Sequence, residues 1–224
     1  MGALTPEAAG AMEKTLQTPR AAGAAGIVFA VLLAATIILV HSAIPIRPVN
    51  AATWLASSSS RDAARATLAL LPFAGIIFLW FMGAVRSYVG EGEDKFFATI
   101  FLGSGLLFVA ALFTLAAETG SMLATAAVPR GTAQLHLWQY GRNAAFTLLS
   151  SYCMRMAAVF TIATSTIGRR LGVFPCWLTW LGYLVAIILL FVVTSIAWFQ
   201  LAFPLWALVV SGYMLTTSHS AAGA

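Results

Sequence analysis

Apolar runs of about twenty residues recur six times along this chain, and that repetition restricts the fold more than any single motif. A helix rising about 1.5 Å per residue needs about that many residues to cross a hydrocarbon layer about 30 Å thick. The runs fall at about 22–42, 66–85, 96–117, 144–167, 174–196 and 200–217. The last two come from one apolar region, residues 173–217, which is too long for a single crossing and suits two joined by a tight turn. Only 8% of the residues are charged and 61% are hydrophobic, against about 25% charged in a soluble domain. The expected fold is therefore all-α: a polytopic membrane helix bundle with about six transmembrane helices. Residues 21–217 form the transmembrane domain, residues 1–20 a cytoplasmic N-terminal tail or surface helix, and residues 218–224 a C-terminal tail.

Within the fourth run, Arg155 stands alone among apolar and small hydroxyl residues, thirteen residues after Arg142 and fourteen before Arg169. That spacing places it roughly 20 Å from either flanking arginine along a helix axis, near the midplane. A charge at that depth is costly and calls for a partner. No Asp or Glu falls within an apolar run at the same depth; Glu118 lies at the end of the previous one. Helical counting puts Ala144, Leu148, Ser151, Tyr152, Ala158, Val159, Ile162 and Thr166 on the face of Arg155, and Phe146, Leu149, Cys153 and Phe160 opposite. Small and polar side chains point to a helix-facing surface, so the arginine face is expected to turn inward and the bulky face to meet lipid. The candidate intramembrane interaction site is Arg155 with Tyr152, Ser151 and Ser104. The plain reading has the guanidinium bonding backbone carbonyls, Tyr152 or Ser104, or snorkelling to a headgroup. The sharper reading is an anion site, or a carboxylate on another subunit.

Two glycine patches, Gly23 with Gly26 and Gly103 with Gly105, are candidate sites of close helix packing. Pro72 implies a kink in the second span unless it falls in the first turn. Thr5-Pro6-Glu7 reads as a helix start, and SSSSRD before the second span as another. Residues 118–141 are expected as a longer loop, and Trp54, Trp138, Tyr140 and Trp198-Phe199-Gln200 as interfacial residues. With both termini inside, the inner segments hold Lys14, Arg20, Arg86, Lys95, Arg169 and Arg170, and the outer ones Arg47, Arg61, Arg65, Arg130 and Arg142. Basic residues concentrate in the shorter inner loops, so the termini are expected in the cytoplasm of a cell-membrane protein.

Sequence motifs for nucleotide binding, zinc proteolysis, serine hydrolysis or dinucleotide binding do not occur, and neither a catalytic residue nor a cofactor is expected. His41, Glu118 and His136 lie near one surface, but separate solvated loop residues are preferred over a metal site. Cys153 and Cys176 read as reduced, buried small hydrophobes. The net charge of +5 fits loops facing lipid headgroups and calls for no nucleic acid. Membrane-embedded carboxylates, which a proton-coupled pump would need, are missing from the runs.

The stretch GRRLGVFPCWLTWLGYLVAIILLF, residues 168–191, sets a basic loop with a proline before Trp-Leu-x-Trp-Leu-Gly and an apolar helix. It resembles bacterial six-span integral membrane proteins of the domain-of-unknown-function type, and FFATIFLGSGLLFVAALF, residues 96–113, is similar to their third span. The resemblance covers about residues 66–196 and rests on compositional motifs. It implies no established active site and no functional residue to carry over, and Arg155 lies outside its pattern. The function expected is that of a non-catalytic accessory or scaffold subunit in the bilayer, packing against a membrane-protein partner or another copy of itself. The alternative is a small carrier or channel for an anionic or lipid substrate, with Arg155 as the binding charge.

Overall fold

The computed structural model describes residues 19–44, 51–89, 95–129, 131–193 and 196–222. The proposed helix start at Thr5 and the acidic cluster Glu91, Glu93 and Asp94 lie outside the described residues. Helix α1 (Pro19–Ala43) opens with proline at its first position, where the missing N–H costs nothing. A short α2 (Ala51–Ala56) leads to α3 (Ser58–Val89) and α4 (Lys95–Ala124), which ends in a 3₁₀ turn (Thr125–Ala127). Helix α5 (Thr132–Thr147) passes through a π-helical segment (Leu148–Cys153) into α6 (Met154–Arg170). Helix α7 (Cys176–Ile187) continues as a second π segment (Ile188–Val192), and a 3₁₀ turn (Ala197–Leu201) precedes α8 (Ala202–Ala222).

Five of these stretches are long and apolar enough to cross a membrane, and Cys176–Val192 is a shorter sixth. The chain is thus an all-α, multi-pass membrane protein, as the repeated apolar runs predict. Helix α1 packs against α3 and α8; α4 packs against α3, α5 and α6; α7 lies at the edge, chiefly against α6. Six aromatic rings from five helices meet at the centre. Phe29, Phe78, Phe108, Phe160 and Phe203 are fully buried, with Trp206 beside them. Phe78 lies 4.9 Å from Phe29, 4.8 Å from Phe108 and 5.0 Å from Phe160, and Phe203 lies 5.3 Å from Phe108. Such pairs each add about 0.5–1.5 kcal/mol beyond the area they bury.

One end of the bundle carries the start of α1 and the end of α8. There the Tyr88 and Thr217 hydroxyls are 2.9 Å apart, Tyr88 stacks on Phe174, and the Arg170 guanidinium lies 4.5 Å over the Phe97 ring. Gly172 (φ 69°) lets the chain reverse after α6: the N–H groups of Val173 and Phe174 both reach the Gly168 carbonyl at 3.0 Å. At the opposite end, Trp54 Nε1 donates to the Ala43 carbonyl at 2.6 Å, Trp54 packs on Trp138, and His41 stacks on Trp198.

Several expected loops and surface residues are instead helical or buried. Residues 118–141 are mostly helix, because Pro129 and Gly131 are the effective breakers and the AAETGSMLATAA stretch before them sustains α4 and its 3₁₀ turn. Helices α3 and α4 and the continuous Thr132–Arg170 helix therefore overrun the hydrocarbon layer at the Trp54 end. The 39 residues of that last helix span about 58 Å, twice the layer. Their overrunning parts turn polar, at Arg61, Asp62 and Arg65 on α3, Glu118 and Ser121 on α4, and His136, Gln139 and Asn143 on α5. Trp54 and Trp138 are buried between these parts rather than interfacial, whereas Tyr140 and Trp198 are exposed. Helix α3 runs unbroken through Pro72, and Ser57 caps its start by accepting the Ser60 N–H at 3.3 Å. Cys153 is buried as expected; Cys176 is exposed.

Candidate functional site

Arg155 begins the second residue of α6, directly after the π segment, and its Nη1 donates to the Ser151 carbonyl at 3.1 Å. The helical count still groups the faces across that segment: Arg155 and Tyr152 fall together, opposite Leu149, Cys153 and Phe160. The expected inward orientation is overturned: Arg155 points out of the bundle, and so does Tyr152, which is 60% exposed. Leu149, Cys153 and Phe160, expected to meet lipid, are buried, and Phe160 joins the aromatic centre. Bulk was a poor guide because lipid tails are as apolar as leucine, so large side chains gain nothing special by facing them. Ala158, on the arginine face by count, is buried as expected.

Of the four residues proposed as an interaction site, three come together. Tyr152 shares the outward face with Arg155, and Ser151, half-buried, supplies the carbonyl. Ser104 does not join them: it is buried and its hydroxyl donates to Ile100 and Phe101 of its own helix, at 2.7 and 3.2 Å. Arg65 and Asp62 form an ion pair at the bundle surface, and no described carboxylate pairs with Arg155.

The glycine patches divide in the same way. A Cβ on Gly23 would strike Leu215, one on Gly26 would strike Ser211 and Phe81, and one on Gly105 would strike Met82. These three are contacts inside the chain. Gly103 faces outward with nothing within 4 Å, so it alone of the four leaves open surface for another helix.

The depth of Arg155 follows from its neighbours. A Cβ at Gly105 of α4 would lie 3.5 Å from Phe160, and one at Gly141 of α5 would lie 3.4 Å from Met122, so α4 runs antiparallel to the α5–α6 helix. Counting back five residues from Phe160 puts Arg155 level with Ala110, well inside the apolar run of α4. On the other flank, Ser165 meets Gly182 and the Thr166 and Tyr183 hydroxyls are 3.0 Å apart. Continuing that antiparallel register past Gly182 brings Arg155 toward the π segment Ile188–Val192, which packs on α6 and where the helical part of α7 ends. Along the packed helices Arg155 is therefore level with the middle of the apolar run of α4 and lies toward the end of the helical part of α7.

Among the described residues after Val192, Val193 lies in a turn and Ile196 is extended, before the 3₁₀ turn. In that turn Gln200 is fully buried and neither side-chain amide atom has a hydrogen-bond partner. The sequence reading grouped Gln200 with its interfacial neighbours Trp198 and Phe199. A carboxamide between aromatic residues gives no sign of its own that it turns inward.

Clefts occur in the overrunning part. One of about 680 Å³ is lined by Leu55, Ala56, Val128, Pro129, Gln134 and Leu135, with Gln134 Nε2 held by the Thr125 and Val128 carbonyls at 3.0 and 3.1 Å. Another, of about 390 Å³, holds Glu118, Ser121, Leu137 and Tyr140. His41 is engaged elsewhere, its Nδ1 2.7 Å from the Ile37 carbonyl, and no cluster of three His, Cys, Asp or Glu able to hold a metal occurs among the described residues. Comparison with protein-family models, with curated proteins and with solved structures finds no match.

Proposed function

We propose that this is a non-catalytic integral membrane subunit, an accessory or scaffold protein that works through its outer surface rather than through a passage in the bundle. The observation that carries this reading is the filled centre: fully buried phenylalanines from five helices occupy the axis, while Arg155 points away from it. A carrier or channel for an anionic or lipid substrate would need Arg155 beside an internal path, and closely packed rings leave none there. The open surface at Gly103 supports packing against a second membrane protein or another copy of this chain. The basic Arg86, Lys95, Arg169 and Arg170 near the terminal end favour a cytoplasmic location for both termini.

The test is reconstitution of purified protein in vesicles with anion-flux and lipid-exchange readouts, together with cysteine cross-linking from position 103 in native membranes. Background flux and a discrete adduct from Gly103→Cys, lost in Gly26→Cys, are expected. Flux above empty vesicles that Arg155→Leu eliminates would overturn the reading in favour of the carrier.

A further inference from the structure

We infer that the α6–α7 edge binds the phosphate of a membrane phospholipid at Arg155, in a place where the hydrocarbon layer is locally thin. The inference rests on the outer-surface reading and names what that surface holds.

The first observation is length. Cys176–Val192 has 17 residues, about 26 Å at the α-helical rise, which is short of a layer about 30 Å thick. A short apolar helix is accommodated by tilting or by thinning the bilayer around it. The second is register. The antiparallel register brings Arg155 toward the π segment Ile188–Val192, so the one charge inside the apolar part of α6 lies near the end of its short neighbour. Headgroups drawn down to the end of α7 arrive at the height of the guanidinium.

The third observation is chemistry. A guanidinium has five N–H donors in a planar fork that matches the oxygens of a phosphate. The Ser151 carbonyl engages Nη1, and the side chain is otherwise exposed. Tyr152, three residues away on the same face, adds an exposed hydroxyl. No described carboxylate competes for the charge. The fourth is the backbone beyond Val192. Non-helical backbone at hydrocarbon depth persists only where it is buried in protein or wet. Ile196 is extended and ends the helical path here, and the turn after it buries the unbonded amide of Gln200 inside the protein. Phosphate is favoured over a partner's carboxylate because a thinned layer brings lipid headgroups to Arg155 without a further protein.

The test uses the full chain, purified in mild detergent with added phosphatidylglycerol and examined by native mass spectrometry. Arg155→Gln is expected to bind the lipid about tenfold more weakly, the loss of one charge-assisted hydrogen bond, and Arg155→Lys to fall between the two. Inorganic phosphate alone is expected neither to bind the delipidated protein nor to displace the lipid. With Arg155 intact, p-benzoylphenylalanine in place of Tyr152 is expected to photo-cross-link to phospholipid in native membranes. Equal lipid binding by wild type and Arg155→Gln overturns the inference. So does capture of free phosphate without lipid, or a cross-link to a polypeptide in place of lipid. None of these readouts measures flux or contacts at Gly103, so this inference and the outer-surface reading fail separately.

Discussion

Alanine at Gly26 and alanine at Gly103 are expected to move stability in opposite directions, although both glycines lie inside helices. At Gly26 the new Cβ would overlap Ser211 Oγ and lie 2.6 and 2.8 Å from Cδ2 and Cε2 of Phe81. The Ser211 hydroxyl can swing aside only by giving up its 2.7 Å bond to the Ala207 carbonyl. The Phe81 ring has less freedom: it is fully buried, with Phe29 at 5.6 Å and Phe78 at 6.2 Å. Overpacking of this kind costs about 1–3 kcal/mol. Replacing glycine by alanine within a helix returns about 0.5–1 kcal/mol of backbone entropy. A net loss of about 1 kcal/mol is expected for Gly26→Ala. At Gly103 nothing lies within 4 Å, so only the gain remains, about 0.5–1 kcal/mol. Reversible unfolding in mixed micelles with increasing dodecyl sulfate, followed by far-ultraviolet circular dichroism, measures both. Ser211→Gly combined with Gly26→Ala is expected to recover part of the loss, leaving the Phe81 contact. A Gly26→Ala protein as stable as wild type, or equal losses at both positions, would refute the packing assigned to the α1–α3–α8 contact.

Other substitutions probe other layers. Phe203→Ala removes a fully buried ring that meets Phe29, Phe108 and Phe160, and a loss of about 3–5 kcal/mol is expected in the same unfolding assay. Trp54→Phe deletes the donor to the Ala43 carbonyl and is expected to cost about 0.5–1.5 kcal/mol, read as the same shift in midpoint. Of the two thiols, Cys176 is expected to react with maleimide in the folded protein and Cys153 only after unfolding, which mass spectrometry of the labelled chain resolves. The same Cys176 lies at the end of the bundle that carries the start of α1 and the end of α8. With that end in the cytoplasm, as proposed, an impermeant maleimide is expected to label it in inverted vesicles and not in intact cells.

The helices were legible because membrane crossing imposes a length and a composition that can be counted. The cap at the start of α3 was legible for a related reason, since local backbone chemistry dictates it. The overrun at the Trp54 end was hidden because polar residues in a helix leaving the layer look like polar residues in a loop. What set them apart was the lack of breakers between Gly120 and Pro129. Helical counting groups Arg155 with Tyr152 and sets Leu149, Cys153 and Phe160 opposite, as found, but which of the two faces turns inward was hidden, because apolar bulk carries no inward or outward preference in lipid. Gln200 and the Trp54–Trp138 pair were missed because amides and tryptophans are at home both at interfaces and in packed contacts.

Which way Arg155 points decides most of the rest, and nitroxide spin labels along α6 read it directly. Labels at positions 149, 155 and 160, one at a time in a chain lacking Cys153 and Cys176, report collision with oxygen and with a polar nickel chelate in vesicles. Position 155 is expected to be accessible and mobile, and positions 149 and 160 immobilised and shielded from both probes. The opposite order, with 155 occluded and 149 and 160 open to oxygen, would put the guanidinium inside the bundle and restore an internal path as the working site.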